Sequence, residues 1–290
     1  MRAFVPEYNL VVPHHLSEAL SMLARDAGVW RPIAGGTDLM VLFEAGKLTD
    51  KNLMSIGHLR ELGGIEVGSE AVLIGAATTY SELRGHAVVQ AEFPLLVEAA
   101  RVTGSFANQN RGTIGGNIVN ASPAADSPPA LLVYDAELEL ISERGVRTVR
   151  YLDFHTGYRT TMLRPEELVG RIILPRNTRG LRHYFRKVGT RKAQAISKVC
   201  MAATAATESR VIKRVRIALG SVAPTAIRCN RAEAVLEGRP LEATAIATAR
   251  AEVMAEVKPI DDFRSTAAYR RQVAGNLMEE FLRQIAAGRV

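Results

Sequence analysis

The sequence predicts an α+β protein of two domains. Its 290 residues, 47% of them hydrophobic, are enough for more than one core. Short strand-like runs and helix-like runs are interleaved along the chain, with no internal repeat. Past the middle, the polar stretch Pro175-Arg176-Asn177-Thr178-Arg179-Gly180 reads as a linker, dividing the chain into residues 1–176 and 177–290.

The elements follow in order. His15 to Arg25 reads as a helix, because Leu16, Ala19, Leu20 and Leu23 share one face. Val29 to Ala34 reads as a strand. Gly35-Gly36 follows, and then a helix over Asp38 to Glu44 that Thr37 or Asp38 can cap. Leu53 to Ile56 is a further short strand. Ile65 to Val67 and Val72 to Gly75 form a hairpin around Gly68-Ser69-Glu70. Thr79 to Leu83 begins a helical stretch, and Pro94 to Val102 is a helix with proline in its first turn. Asn108 to Asp126 is dense in small and polar residues and reads as a functional loop anchored by Ile114, Ile118 and Val119. Pro128 to Val133 is a helical turn; Ala136 to Ile141, Val146 to Arg150 and Leu168 to Leu174 are strands.

Beyond the linker, Val199 to Thr207 and Val211 to Leu219 read as strands. Ile227 to Leu236 and Thr244 to Val257 read as helices. Ala267 to Ala287 is a long amphipathic helix whose face of Val273, Leu277, Phe281 and Ile285 belongs to a core or an interface.

Two glycine-rich loops carry the chemistry: Ile33-Ala34-Gly35-Gly36-Thr37-Asp38 and Arg111-Gly112-Thr113-Ile114-Gly115-Gly116-Asn117. Each lets main-chain N–H groups approach an anion with no Cβ in the way. Strand, Gly-Gly turn, helix is a common anion-binding arrangement. The same glycines also suit a tight turn needing positive φ. Two such loops in one fold suggest a diphosphate held from both sides, as in a dinucleotide-like cofactor.

Other chemistries find little support. No GxGxxG follows a strand, and no GxxxxGK[ST] or GxSxG occurs. Cys200 and Cys229 form no CxxC pair, so neither an iron–sulfur cluster nor a zinc site is expected, and both are expected as thiols. The six histidines are scattered. The net charge of +7 gathers between Arg176 and Arg231 without a nucleic-acid motif, which reads as a solvated basic face. Glu166-Glu167 after Pro165 reads as a solvated cap rather than an acid/base pair. No run approaches the roughly 18–20 apolar residues of a membrane span, and Met1 to Tyr8 has no signal-peptide core, so a cytoplasmic protein is expected.

The Ala34 to Asp38 loop, the Arg111 to Ile118 loop, its continuation Asn120-Ala121-Ser122-Pro123-Ala124-Ala125-Asp126 and the run Gly157-Tyr158-Arg159-Thr160-Thr161-Met162-Leu163-Arg164-Pro165-Glu166-Glu167-Leu168 resemble the FAD-binding medium subunit of molybdenum hydroxylases. This is the xanthine dehydrogenase and carbon monoxide dehydrogenase family. The resemblance covers nearly the whole chain, including Asp262 to Arg271 in the C-terminal part. It implies a vanillyl-alcohol-oxidase (PCMH)-type FAD domain of two subdomains, about 1–55 and 56–176, followed by a carbon monoxide dehydrogenase-flavoprotein-like α+β domain. It implies that Arg31, Pro32, Ile33, Ala34, Gly35, Gly36, Thr37 and Asp38 wrap the diphosphate and ribose of FAD. Gly112, Thr113, Gly115, Gly116 and Asn117 would hold it from the other side. Thr103 joins this cofactor set; Asp126 would lie near the adenosine part, Leu168 and Val169 would contact the cofactor through the backbone, and Lys187 would lie near the flavin edge.

The implied activity is electron transfer. The chain would take electrons from the [2Fe–2S] clusters of a small subunit and pass them to NAD or another acceptor, while a molybdopterin-binding large subunit oxidises xanthine or a related N-heterocycle. A dimer of heterotrimers is the implied assembly. The alternatives are a carbon monoxide dehydrogenase-type medium subunit, a self-contained FAD oxidoreductase with its own acid/base group, and a basic nucleic-acid-binding module. The 4-hydroxybenzoyl-CoA reductase branch adds a cysteine-ligated cluster to this subunit, which two cysteines do not support.

Overall fold

A computed structural model describes residues 7–192 and 194–289; the N-terminal reading of residues 1–6 lies outside them. The chain opens as a small parallel sheet. Strands β1 (Asn9–Val11), β2 (Arg31–Ile33) and β3 (Asn52–Ser55) lie in the order β1-β3-β2. Helix α1 (Leu16–Arg25) connects the first two and α2 (Leu39–Glu44) the second and third. The expected apolar face of α1 is the one buried: Ala19 and Leu23 are fully covered, packed with Met54, Leu59 and Leu62. Asp38 sits at the N-cap position of α2, but its side chain makes no capping bond, nor does that of Thr37. Its backbone is already helical, which takes the carboxylate out of capping geometry.

A five-stranded antiparallel sheet follows, in the order β4-β5-β10-β6-β7. It contains β4 (Ile65–Val67) and β5 (Ala71–Gly75), the expected hairpin. Between β5 and the next strand run α3 (Tyr80–Gly85), α4 (Ala87–Glu92), α5 (Pro94–Val102), α6 (Phe106–Gln109), α7 (Ile114–Asn120) and α8 (Ser127–Val133). Thr79 and Glu82 form a capping box at the start of α3. Strands β6 (Glu137–Ser142) and β7 (Gly145–Arg150) pair next. The short α9 (Tyr151–Phe154), β8 (His155–Gly157) and β9 (Thr160–Thr161) lead to β10 (Leu168–Pro175) in the middle of the sheet.

The expected loop from Asn108 to Asp126 therefore contains a helix over Ile114–Asn120. Two glycines make this segment a poor helix former on its own. Packing overrides that. The Thr113 hydroxyl accepts from the Gly116 N–H at 3.2 Å, and Gly115 lets the helix lie on Ala76, where a Cβ would meet the Ala76 Cβ at 2.5 Å.

The last sheet, β11 (Arg182–Val188), β12 (Val199–Glu208), β13 (Val211–Gly220) and β14 (Ile227–Arg228), is antiparallel in chain order. Helices α10 (Asn230–Leu236), α11 (Ala243–Glu256) and α12 (Ala267–Ala286) cover one face. The helix expected over Ile227 to Leu236 is instead a two-residue strand and then α10, because Ile227 and Arg228 extend the sheet edge beside Ala218 and Leu219. Met201, Ala203, Ile217 and Leu219 pack with Leu277, Phe281 and Ile285 of α12. Their neighbours Ala202 and Ala218 point the other way and join the core of the five-stranded sheet. This period-two alternation buries both faces of the last sheet.

Candidate functional site

A cleft of about 750 Å³ opens between the parallel sheet, the α6–α7 segment and the entry to β10. The two glycine-rich loops meet there. An added Cβ on Gly35 would lie 1.8 Å from the Arg111 carbonyl oxygen, so only glycine lets the first loop rest on the second. Gly36 has φ +73°, the positive value the turn into α2 requires. The second loop is stitched to the segment after β5: Tyr80 N–H donates to the Gly112 carbonyl at 3.2 Å, Ile114 N–H to Thr78 at 3.0 Å and Gly115 N–H to Ala76 at 2.8 Å.

This packing leaves donors over. Among the described residues, the main-chain N–H groups of Gly35, Gly36, Thr37, Asp38 and Thr113 find no acceptor. These residues all line the cleft. A cradle of unpaired N–H groups from two directions suits a diphosphate, whose negative oxygens accept several bonds at once. Asn117 is oriented by a hydrogen-bond chain, since its Oδ1 accepts from the Ser127 hydroxyl at 2.7 Å and that oxygen lies 3.0 Å from the Tyr80 hydroxyl. Burial raises the Tyr80 phenol above its ordinary range, so it stays protonated and available to this chain.

Of the residues expected around a cofactor, Arg31, Pro32, Ala34, Gly35, Gly36, Thr37 and Asp38 line the cleft. So do Thr103, Gly112, Thr113, Gly115, Gly116, Asn117, Leu168 and Val169. Ile33, Asp126 and Lys187 are not among its lining residues. Ile33, the last residue of β2, has its side chain beside Gly36, 3.4 Å from where a Cβ on that glycine would lie. Asp126 and Lys187 pair with each other instead. The Lys187 ammonium donates to Asp126 at 2.6 Å and to the Val102 carbonyl at 3.0 Å, and the Ser197 hydroxyl donates to Asp126 at 2.6 Å. Burial pushes the Asp126 carboxyl up, and Lys187 and Ser197 pull it back. The pair joins α8 to β11.

The cleft is also lined by residues that the sequence reading did not assign to the cofactor: Trp30, Ala76, Tyr80, Asn120, Arg159, Thr161, Arg164 and Glu167. Glu167 corrects an expectation. It is 5% exposed rather than solvated, and the Arg147 guanidinium grips its two oxygens at 2.6 and 2.7 Å. The Arg147 hydrogen bonds hold its carboxyl below the usual carboxylate range, so it is an ion-pair partner and not a proton donor. No local sequence signal marks the pair, because Arg147 on β7 reaches the Glu167 end of β10 only across β6. Cys200 and Cys229 are both buried free thiols. No group of metal-ligating side chains occurs, and no helix is long and apolar enough to cross a membrane, among the described residues.

Comparison with known proteins matches this arrangement along its length. The family described as the FAD binding domain in molybdopterin dehydrogenase matches residues 6–177, and the carbon monoxide dehydrogenase flavoprotein C-terminal domain matches residues 183–285. The xanthine dehydrogenase FAD-binding subunit of Escherichia coli is 31% identical over 276 residues, 94% of each chain. The glyceraldehyde dehydrogenase medium chain of Sulfolobus acidocaldarius is 30% identical over 98% of this chain and 100% of its own. Among solved structures, a chain of carbon monoxide dehydrogenase from Hydrogenophaga pseudoflava superposes with a TM-score of 0.92 at 30% identity, covering 96% of each chain.

Proposed function

The chain belongs to the FAD-binding flavoprotein subunits of the molybdenum hydroxylases, the family of xanthine and carbon monoxide dehydrogenases, and from that membership we propose a path for its electrons. They arrive from [2Fe–2S] clusters on a small partner subunit and leave to NAD or another soluble acceptor. A molybdopterin-binding large subunit oxidises the substrate. FAD supplies the exchange between one-electron and two-electron carriers when bound.

The observation that carries this reading is the pair of loops that line one cleft together and carry unpaired N–H groups. Gly35 to Asp38 hold the diphosphate on one side, and Thr113 with Gly116 and Asn117 hold it on the other. Leu168 and Val169 offer apolar lining, and Thr103 lines the same cleft. No acid/base residue of the chain is needed. Its residues bind, orient and exclude water, while distance and potential set the electron flow.

Two substrate classes fit the complex. Xanthine or a related N-heterocycle is supported by the 31% identical xanthine dehydrogenase subunit. A carbon monoxide dehydrogenase-type complex is supported equally, by a medium chain of that enzyme 29% identical over 277 residues. The substrate itself would be held on another chain. The assembly we propose is a dimer of heterotrimers in the cytoplasm.

Anaerobic titration of the assembled complex tests the path. Xanthine or carbon monoxide should bleach the flavin band of the complex, NAD or a dye should restore it, and the isolated chain should not respond to substrate. Bleaching of the isolated chain by substrate would replace the relay with a self-contained oxidoreductase.

A further inference from the structure

The segment from Met162 to Glu167 forms part of the cleft wall and is tied down by one buried carboxylate. Arg147, on β7, reaches across β6 to it. Its Nε and one terminal nitrogen take the two Glu167 oxygens, and the same terminal nitrogen donates to the Met162 carbonyl at 3.1 Å. Glu167 in turn accepts the Arg164 N–H at 2.9 Å, while its own N–H donates to the Arg164 carbonyl at 3.0 Å. The segment is thus closed at both ends by a single Arg–Glu pair, of which the glutamate side chain is 4% exposed and the arginine 30%.

The consequence falls on Arg164. It is the cation nearest in sequence to Glu167 and the natural ion-pair partner for it. Arg147 already occupies both carboxylate oxygens in a bidentate fork, the strongest geometry available to the pair. Arg164 lines the cleft and is exposed, and its guanidinium has no ion pair or side-chain hydrogen bond among the described residues. A cation that faces a cleft, beside a carboxylate that is already taken, is placed for an anionic ligand.

We infer that Arg164 is an anion-contacting residue of the cleft, and that Arg147 and Glu167 are positioning residues that present it. The inference rests on the cleft holding FAD, whose diphosphate is the anion in question. Glu167 does not touch the ligand's charge. It fixes the Arg164 backbone, and with both of its oxygens held by Arg147 it forms no salt bridge with the Arg164 side chain.

The test is FAD affinity and release for the purified chain at several salt concentrations, by flavin fluorescence. Arg164→Gln should weaken FAD about tenfold, as for loss of one charge-assisted hydrogen bond, and should flatten the salt dependence. Glu167→Gln should speed FAD release by a similar factor and change the visible circular dichroism of the bound flavin. Arg147→Lys, which keeps the charge and loses the fork, should fall between. Since Arg147→Met strands a buried carboxylate, the double variant Arg147→Met/Glu167→Met serves as the folded control for removal of the pair. Unchanged affinity, salt slope and flavin signal in Arg164→Gln and Glu167→Gln would overturn the inference. Wild-type chain that binds no FAD would instead overturn the cofactor reading on which it rests.

Discussion

Gly35 lies directly against the main chain of Arg111, so closely that a methyl group on Gly35 would sit 1.8 Å from the Arg111 carbonyl oxygen. The two glycine-rich loops are separated by more than seventy residues, and this contact makes them one site. Gly35→Ala should therefore pry the loops apart. Overpacking of this kind costs on the order of 1–3 kcal/mol, and FAD affinity should fall by more than stability does. Thermal denaturation with and without added FAD reads both quantities. A variant with wild-type affinity would mean that the loops can part without harm.

Thr113 has a double role at the same place. Its hydroxyl caps α7 through the Gly116 N–H, while its own N–H finds no acceptor among the described residues and the residue lines the cleft. Thr113→Ala should lose about 1 kcal/mol of stability, the usual worth of an N-cap. Thr113→Ser should restore it, because the serine hydroxyl caps equally well. Chemical denaturation of the three proteins decides the matter.

Lys187 and Asp126 form an ion pair that is nearly excluded from water, with side chains 11% and 8% exposed. Removing one member leaves the other buried and alone. Lys187→Met should cost about 3–5 kcal/mol, and the double variant Lys187→Met/Asp126→Asn should recover much of it. If the single variant is as stable as wild type, water reaches the pair and it contributes little. The same comparison, read by redox titration, shows whether the Lys187 charge affects the flavin potential.

Asp262 should make stability fall in acid. Burial alone would raise its carboxyl, but the N–H groups of Arg264 and Ser265 and the Arg270 guanidinium outweigh burial and bring it to about 2 from an ordinary 3.8. A carboxyl lowered by folding stabilises above its ordinary value, and that contribution is lost as the pH falls through the folded value. Asp262→Asn should accordingly be less stable than wild type at pH 6 and converge with it near pH 2. A gap that stays constant over this window would mean that the carboxylate charge contributes nothing there.

The parts of the fold that could be read from sequence were those with a strong local signal. Pro94–Val102 matches its expected helix because proline fixes the first turn and five buried apolar residues follow. The Ile65–Gly75 hairpin was legible from its turn. Of the elements that were not legible, three show the physical reasons. β1 is three residues long and mostly exposed, so it carries no apolar alternation. β11 reads Arg-His-Tyr-Phe-Arg-Lys-Val, and its charges hide a strand whose one buried residue is Tyr184. α7 depends on Gly115 lying against Ala76, a contact between distant segments.

The site divides in the same way. The glycine loops announced themselves, since glycine is where the backbone must come close. The Arg147–Glu167 pair did not, because its members are twenty residues apart and meet only across a strand of the sheet. Asp126 and Lys187 were expected singly beside the cofactor, and the structure puts them together at the junction of α8 and β11, where neither residue's sequence neighbours reveal the other.

The most direct measurement is the visible absorption spectrum of the purified chain, followed by identification of whatever denaturation releases. The account predicts a two-band flavin spectrum and released FAD in about equal amount to protein. A folded, colourless protein that added FAD cannot reconstitute would contradict it.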